Sequence, residues 1–585
     1  MALSLQFSII WIVFLFGVFS LYLFVQHEMA MIRGAHHQIN SNKPGLIRQS
    51  KSFLDKTYTD KQNELKQQQY LRSSNINSTN NANKIDLSIT KIESNNWGNV
   101  PSKHSNNSNE QEKKGILICN GKQIDSEIIY WKIVPGDDQY ESPITPHHSE
   151  HHDRYLTFEY DQGGWNNVRM ALECMIVIAH AMGRTLVIPP QQHLYLLGQN
   201  HQDKGDKKAH DEMGFEDFFD IQLLSSHKGY HVIPMKEFLE NEGVTGGLKG
   251  KLPPKNSTDA WGTSLWKYLD EVADANPEWM GKFLAMPDRP GDFSFKTIKY
   301  DQKTTKRMKD FGGERLPVYY DESLQKAHHI HFPADGSHRL LQHHYAFTFF
   351  ASAEMQSFYK RFVRDYMRYK DAIQCSGHEL VASVRADALK EDPSGKGEYY
   401  ALHIRRGDFQ FKEVKISAQE IVNNLVHEDG TPLIPPGSLV YMSTDDPDGV
   451  CKNCYANRKP CKENPPGTIG CPQDPSWNAM RKFGWKLRFL KDYTDKGLLK
   501  GVNPNVHGMI ESIVCIRSKI FAGTYFSTFT GYIHRLRGYS SMELGENTYY
   551  HSKHYFKNLQ MKKSVGHGFS REWRAGWTDD GGQLI

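Results

Sequence analysis

The chain has 585 residues, length enough for one to four domains and a large core. Its 71 basic and 67 acidic side chains leave a formal charge of +4, which excludes a nucleic-acid binder driven by a basic surface. No solenoid period or heptad run is present, so repeat arrays and coiled coils are excluded too.

The first element is apolar. The uncharged run from Ile9 to Val25, carried back to Leu3, reaches about 20 residues, the length of a membrane-spanning helix. Being apolar all round at a terminus, it reads as an anchor rather than a core helix. A cleaved signal peptide would start basic and have a shorter apolar run, and neither holds. Residues 1–8 carry no charged side chain, whereas Arg33, Lys43, Arg48 and Lys51 follow the span. Taken alone, that bias places the body of the protein in the cytosol. Residues 28–114 are rich in Asn, Ser, Gln and Lys and too poor in apolar groups to offset their ordering entropy, so they read as a flexible stem. Glycosylation acceptor sequences at Asn77, Asn106 and Asn256 favour a luminal body instead.

The body opens after His147, His148, His151 and His152, read as an exposed linker. In YLTFEY (155–160), Leu156, Phe158 and Tyr160 alternate with Thr157 and Glu159, a strand period. Val168, Leu172, Met175, Ile176, Ala179 and Met182 then follow helical spacing, and TLVIPP (185–190) supplies the next strand. The turn between them, Gly163-Gly164-Trp165-Asn166-Asn167, lies at a helix N-terminus, where free N–H groups favour an anion. HHYAFTFF (343–350) reads as core or domain interface.

The same order recurs later. EYYALHI (398–404) is a strand, and at its end His403, Arg405, Arg406 and Asp408 crowd around Gly407. Adjacent arginines at a strand end point in opposite directions, so one enters the space beyond the strand and the other does not. Ser417 to Glu420, SAQE, has the form of a capping box opening a helix. SLVYMST (438–444) is a strand ending at Asp445 and Asp446. Val506, Ile510, Ile513 and Val514 mark a helix, and KIFAG (519–523) a strand. A hydroxyl-rich turn then enters a helix, with Ser527 as its N-cap.

Strands alternating with helices in both halves predict an α/β fold of parallel sheets, and ligands in such folds bind at the carboxyl ends of the strands. Residues 161–167, 403–408, 445–446 and 524–530 all fall there. An arginine fork, a glycine turn and a hydroxyl-rich helix start suit a sugar nucleotide whose diphosphate departs, with electrostatic stabilisation of that group as the main catalytic term.

These motifs carry a resemblance. GGWNN, GFEDFFDIQLL (214–224), HIRRGDF, VYMSTDD and FSTFTGYIHRLRG stand in the order found in the GDP-fucose protein O-fucosyltransferase family, over about residues 115–545. The resemblance implies a GT-B fold, with two Rossmann-like domains facing across a cleft, at 115–375 on the acceptor side and 376–545 on the nucleotide-sugar side. An anchor (1–27), the stem (28–114) and a C-terminal extension (546–585) complete the chain. By that resemblance Arg405 grips the diphosphate and assists departure of GDP. Gly164 and Asn166 approach the sugar and phosphates, His403 and Asp445 lie near the nucleoside, and Thr528 and Phe529 serve the phosphates and base. Asp408 either orients an arginine or contacts the ligand. Some family members place a glutamate, the acceptor's base, where this chain has Gly163; Glu159 and Asp161 are nearby. Relatives are commonly type II membrane proteins of the Golgi or endoplasmic reticulum, which outweighs the charge bias at the short N-terminal tail.

The implied partners are GDP-fucose, a protein or glycan acceptor, and the membrane through Leu3–Val25, with no nucleic acid. No metal is expected: DPD (446–448) resembles a metal-binding Asp-x-Asp, but reads as a polar turn because diphosphate-binding arginines make a metal redundant. In a luminal body Cys451, Cys454, Cys461 and Cys471 read as disulfide-forming rather than zinc-binding, while Cys119, Cys174, Cys375 and Cys515 are paired or simply buried. A glycan-directed fucosyltransferase, or a binding protein that has lost catalysis, are the other readings.

Overall fold

The computed structural model describes most of residues 116–560, all within one compact unit, Trp97–Ile585. Residues 1–115, 146–153, 198–211, 249–264, 293–301, 451–454, 461–466, 468–470, 552–557 and 561–585 lie outside the description, as do shorter stretches and single positions, Asp408 among them. The expected anchor, stem, glycosylation acceptors and histidine tract therefore fall outside it. Among the described residues no helix is long and apolar enough to cross a membrane.

The first half contains, in chain order, β1 (Tyr155–Phe158), β2 (Thr185–Ile188), β3 (Val232–Pro234), β4 (Lys282–Met286), β5 (Leu316–Tyr319), β6 (His329–Phe332) and β7 (Thr348–Phe350). These form a four-stranded parallel sheet, ordered β3-β2-β1-β6, and a three-stranded parallel sheet, ordered β5-β4-β7. The second half contains β8 (Tyr400–Ile404), β9 (Leu439–Thr444), β10 (Lys486–Phe489), β11 (Phe521–Thr524), β12 (Thr548–His551) and β13 (Asn558–Gln560). They form one sheet, ordered β10-β9-β8-β11-β12-β13, parallel except for the last pair. Parallel neighbours require crossovers, and the helices that make them cover the sheet faces.

β1 departs from the alternating pattern: all four of its residues are buried. Thr157, read as a polar-face position, is enclosed because its hydroxyl has partners inside, the rings of His329 and His331 at 2.7 and 2.8 Å. The helix that follows, α1 (Trp165–Met182), is buried at every position except Asn167, so it is a core helix rather than an amphipathic surface one. Gly183 ends it at φ 64°, its N–H donating to the carbonyls of Ala179 and His180. Downstream lie α2 (Ala353–Tyr366), α3 (Asp371–Glu391), α4 (Ala418–Asn424), α5 (His507–Ile516) and α6 (Thr528–Ser540). The capping box at α4 forms as expected, with Ser417 accepting from the Glu420 N–H and Glu420 accepting from the Ser417 N–H.

A disulfide joins Cys119, on a small N-terminal hairpin (Leu117–Cys119 with Lys122–Ile124), to Cys375 in α3. Cys174, Cys471 and Cys515 are buried. The insertion that begins after β9 is closed at its neck: the Asp474 N–H donates to the Gly449 carbonyl at 2.7 Å, the Ser476 N–H to that of Asp448 at 2.9 Å, and the Trp477 indole to that of Pro447 at 3.1 Å.

Candidate active site

The two halves meet through α1 and α6. Arg169 lies over the ring of Tyr532 at 4.3 Å, and the Arg535 guanidinium is paired with Glu173. Contacts 169 with 532 and 173 with 535 advance together, so the two helices run parallel. Arg169 and Tyr532 each stand four residues past their helix start, Trp165 and Thr528, which sets the two N-termini level. Each N-terminus follows the carboxyl end of a parallel strand, β1 or β11. Residues 161–167 and 524–530 therefore lie at the same end of the two packed helices, where helix-start N–H groups lack intrahelical partners.

On the β8 side the two arginines separate. Arg406 is fully buried, stacked 4.0 Å over Trp477 and donating to Asp474 and the Ile416 carbonyl, both at 2.8 Å. It is structural. Arg405 is partly exposed, and its guanidinium donates to Asp445 Oδ2. That carboxylate also accepts the N–H groups of Arg406 and Gly407, each at 2.7 Å. A Cβ on residue 407 would stand 2.4 Å from Asp445 Oδ2. Gly407 is therefore required for this close approach, not for the sharp turn expected from sequence. Asp445 is a carboxylate that orients Arg405, and Asp408 lies outside the described residues.

His403 is buried, with Nδ1 2.7 Å from the Thr530 hydroxyl and the Phe529 ring 4.6 Å away. Burial, with Arg405 and His551 nearby, holds it well below the usual histidine range, so it is neutral. Phe526, in the turn before α6, has φ 66°, a strained backbone for a bulky side chain, and stacks on Phe411 at 4.6 Å. Asp446 of the DPD sequence accepts from the Val450 N–H and faces Arg406 at 3.7 Å, the commitments of a structural turn. Among the described residues no group of three or more His, Cys, Asp or Glu could hold a metal.

On the β1 side, Gly164 is the N-cap of α1 and Asn166 lies in its first turn. A Cβ at residue 163 would meet Asn167 Nδ2 at 2.2 Å and Asp161 Oδ1 at 2.8 Å, so the packing leaves no room for a glutamate there. Asp161 is buried, accepts the Gly163 N–H at 2.7 Å and is gripped by Arg339 at 2.9 and 3.0 Å. It is committed to shaping the turn.

Sequence reasoning missed a cavity of about 310 Å³ beside Asp445, at the carboxyl ends of β9 and β10. Met442, Pro447, Phe489 and Leu490 form its apolar walls, and Glu511 and His507 supply polar groups. Glu511 accepts from the Tyr441 hydroxyl at 3.0 Å, and burial pushes its carboxyl up to about 7. His507 Nε2 is buried without a hydrogen-bond partner among the described residues. Glu511 was legible only as the one acid inside the apolar helix 506–514.

Two parallel-sheet halves, a partly exposed arginine at a strand end and two neighbouring helix N-termini suit an enzyme of the nucleotide-sugar-dependent transferase class. The family profile described as GDP-fucose protein O-fucosyltransferase matches residues 155–439, from β1 to the first residue of β9. Residues 155–439 thus match that family, and the match supports a GDP-fucose-dependent fucosyltransferase. The match is narrower than the 115–545 expected, taking in GGWNN and HIRRGDF but not Asp445 or the α6 turn. No curated protein matches the sequence. Among solved structures, POFUT1 in complex with GDP-fucose aligns at 13% identity and TM-score 0.32, covering 66% of this chain and 96% of that one. NodZ α-1,6-fucosyltransferase soaked with GDP-fucose aligns at 14% and 0.28, covering 66% and 92%. A point mutant of Arabidopsis thaliana FUT1 in complex with GDP aligns at 9% and 0.28, covering 76% and 77%. Likenesses at these TM-scores carry no inference about the site.

Proposed function

We propose that the chain transfers fucose from GDP-fucose to a serine or threonine hydroxyl of a protein acceptor, in a GT-B arrangement, with Arg405 assisting departure of GDP. The observation that carries this reading is Arg405 itself, partly exposed and oriented by Asp445 at the end of β8. A guanidinium there stabilises the charge growing on the β-phosphate oxygen as the glycosidic bond breaks. Gly164, Asn166, Thr528 and the N–H groups of the two level helix starts supply further donors to the sugar and phosphates. His403 and Phe529 flank the nucleoside.

The cavity beside Asp445 takes the base. Guanine presents two donors, N1–H and the 2-amino group, on one edge, and the Glu511 carboxylate accepts both in its ionised form. Arg405 and the helix N-termini neutralise the diphosphate, so no metal is needed for that role. Leu3–Val25 anchors the protein as a single-pass type II chain in the Golgi or endoplasmic reticulum membrane, with the body in the lumen.

The test is GDP release from GDP-fucose, beside GDP-mannose and UDP-sugars, with and without EDTA, for the wild type and Arg405→Ala. Release specific to GDP-fucose, surviving EDTA and lost in Arg405→Ala while the variant stays folded, supports the reading. Release from another donor alone, or full activity in the variant, overturns it.

A further inference from the structure

β9 carries two hydroxyl side chains on one face, Tyr441 and Ser443, because residues two apart on a strand point the same way. Its backbone is held on both sides, with Tyr441 opposite Ala401 of β8 and Arg488 of β10. Tyr441 is completely buried and Ser443 nearly so. The Tyr441 hydroxyl donates to Glu511 Oε1 at 3.0 Å, reaching from the strand to the second turn of α5. A carboxylate has about four lone-pair sites, so this bond leaves others for a ligand in the cavity that Glu511 lines.

Burial pushes the Glu511 carboxyl up to about 7, and the Tyr441 and Ser443 hydroxyls pull against that rise by stabilising the charged form. Its titratable neighbours are neutral with one exception. Burial holds the Tyr441 phenol well above its ordinary value, so it acts as a donor, and it raises Tyr493 beside Tyr441 as well. The Cys515 thiol, one turn farther along α5, is raised by burial too, and His507, one turn earlier, is lowered by it. The exception is Lys491, the cation among the residues that line the cavity.

From this geometry we infer that Tyr441 is a positioning residue that sets the nucleobase preference of the site, holding Glu511 as a carboxylate that accepts only a base edge with two adjacent donors. The inference rests on the reading above, with guanine in this cavity. Guanine offers N1–H and the 2-amino group side by side; adenine offers an acceptor, N1, beside its 6-amino donor. An ionised carboxylate therefore suits guanine and repels adenine N1. A protonated carboxyl, with one donor and one acceptor, fits the adenine edge instead. Without the Tyr441 hydroxyl, Glu511 takes up a proton at a higher pH, and the discrimination fails at neutral pH.

The test is calorimetric titration of the full chain with GDP and with ADP, from about pH 6 to about pH 8.5, as wild type and as Tyr441→Phe. Losing one hydrogen bond to a charged group moves the midpoint of the GDP affinity profile up by about one pH unit. GDP binding by the variant should then be about fivefold weaker than wild type at pH 7 and within about twofold at pH 8.5, and the preference for GDP over ADP at pH 7 should narrow by at least the same factor. Ser443→Ala should move the midpoint in the same direction. Recovery at high pH separates this role from a structural one: a loss of GDP affinity equal at every pH overturns the inference, and so do midpoints unmoved in both variants. Wild type that binds GDP and ADP equally well overturns the placement of guanine instead, and wild type that binds no GDP overturns the fucosyltransferase reading.

Discussion

The Arg535 guanidinium and the Glu173 carboxylate, 362 residues apart, meet with both side chains fully buried, the Arg535 Nη1 donating at 2.8 Å. Arg169 completes the group, donating to the same carboxylate at 3.2 Å and to the Tyr369 hydroxyl at 2.7 Å. Removing one side of a buried pair leaves an uncompensated charge, which costs about 3–5 kcal/mol. Arg535→Ala is expected to lose stability of that order in urea unfolding. Arg535→Met combined with Glu173→Leu should lose less than the sum of the single changes, and additive losses would show that the pair is not coupled.

Gly407→Ala tests the approach of Asp445 to the backbone. The added methyl displaces that carboxylate and with it the orientation of Arg405, while the strand beneath is untouched. GDP release should fall at least about tenfold with little change in melting temperature. Unaltered activity would mean that Asp445 does not set Arg405.

Glu511 supplies a pH dependence whose sign can be worked out. Its folded value, about 7, lies above the ordinary glutamate value because burial disfavours the charge. Its contribution to stability is therefore full below the unfolded value and is lost as pH rises through 7. Guanine's donors need the ionised form, so binding GDP at pH 6 should expel a proton. Affinity should fall up to about tenfold per pH unit below 7. Titration calorimetry in buffers of different ionisation enthalpy reads that proton directly. Glu511→Gln should flatten both trends and narrow the preference for GDP over IDP, which lacks the 2-amino group.

The disulfide between Cys119 and Cys375 closes a span of 256 residues. Removing it by Cys119→Ser with Cys375→Ser should lower unfolding stability by about 2–5 kcal/mol and leave GDP release per folded molecule unchanged. A loss of activity in the folded fraction would instead tie the hairpin to the site.

Sequence patterning identified the parallel α/β arrangement, the capping box at Ser417 and the strand ends that carry Arg405, Asp445 and Gly164, because those signals are local. It failed where the partner is distant. Glu173 and Arg169 read as helix positions until Arg535 is placed beside them. Thr157 read only as the polar side of a strand alternation because nothing within YLTFEY shows that His329 and His331 enclose it. Glu511 hid within an apolar helix pattern, and its cavity is made by residues from three separate stretches of chain. The division of labour between Arg405 and Arg406 followed from strand alternation, but which arginine faces inward depends on Trp477, 71 positions beyond Arg406 in the numbering.

The zipped neck at Pro447–Gly449 and Asp474–Trp477 makes the stretch between them an appendix in the thermodynamic sense. Its two ends are held together, so the closure cost rises only slowly with the length of chain between them, by about 0.6 kcal/mol for each doubling. Arg406, Trp477 and Asp474 form the foundation of that neck and of the strand end bearing Arg405 alike. Changes of length between the two sides of the neck should therefore leave the strand end bearing Arg405 in place, provided that Cys471, which is buried, is kept.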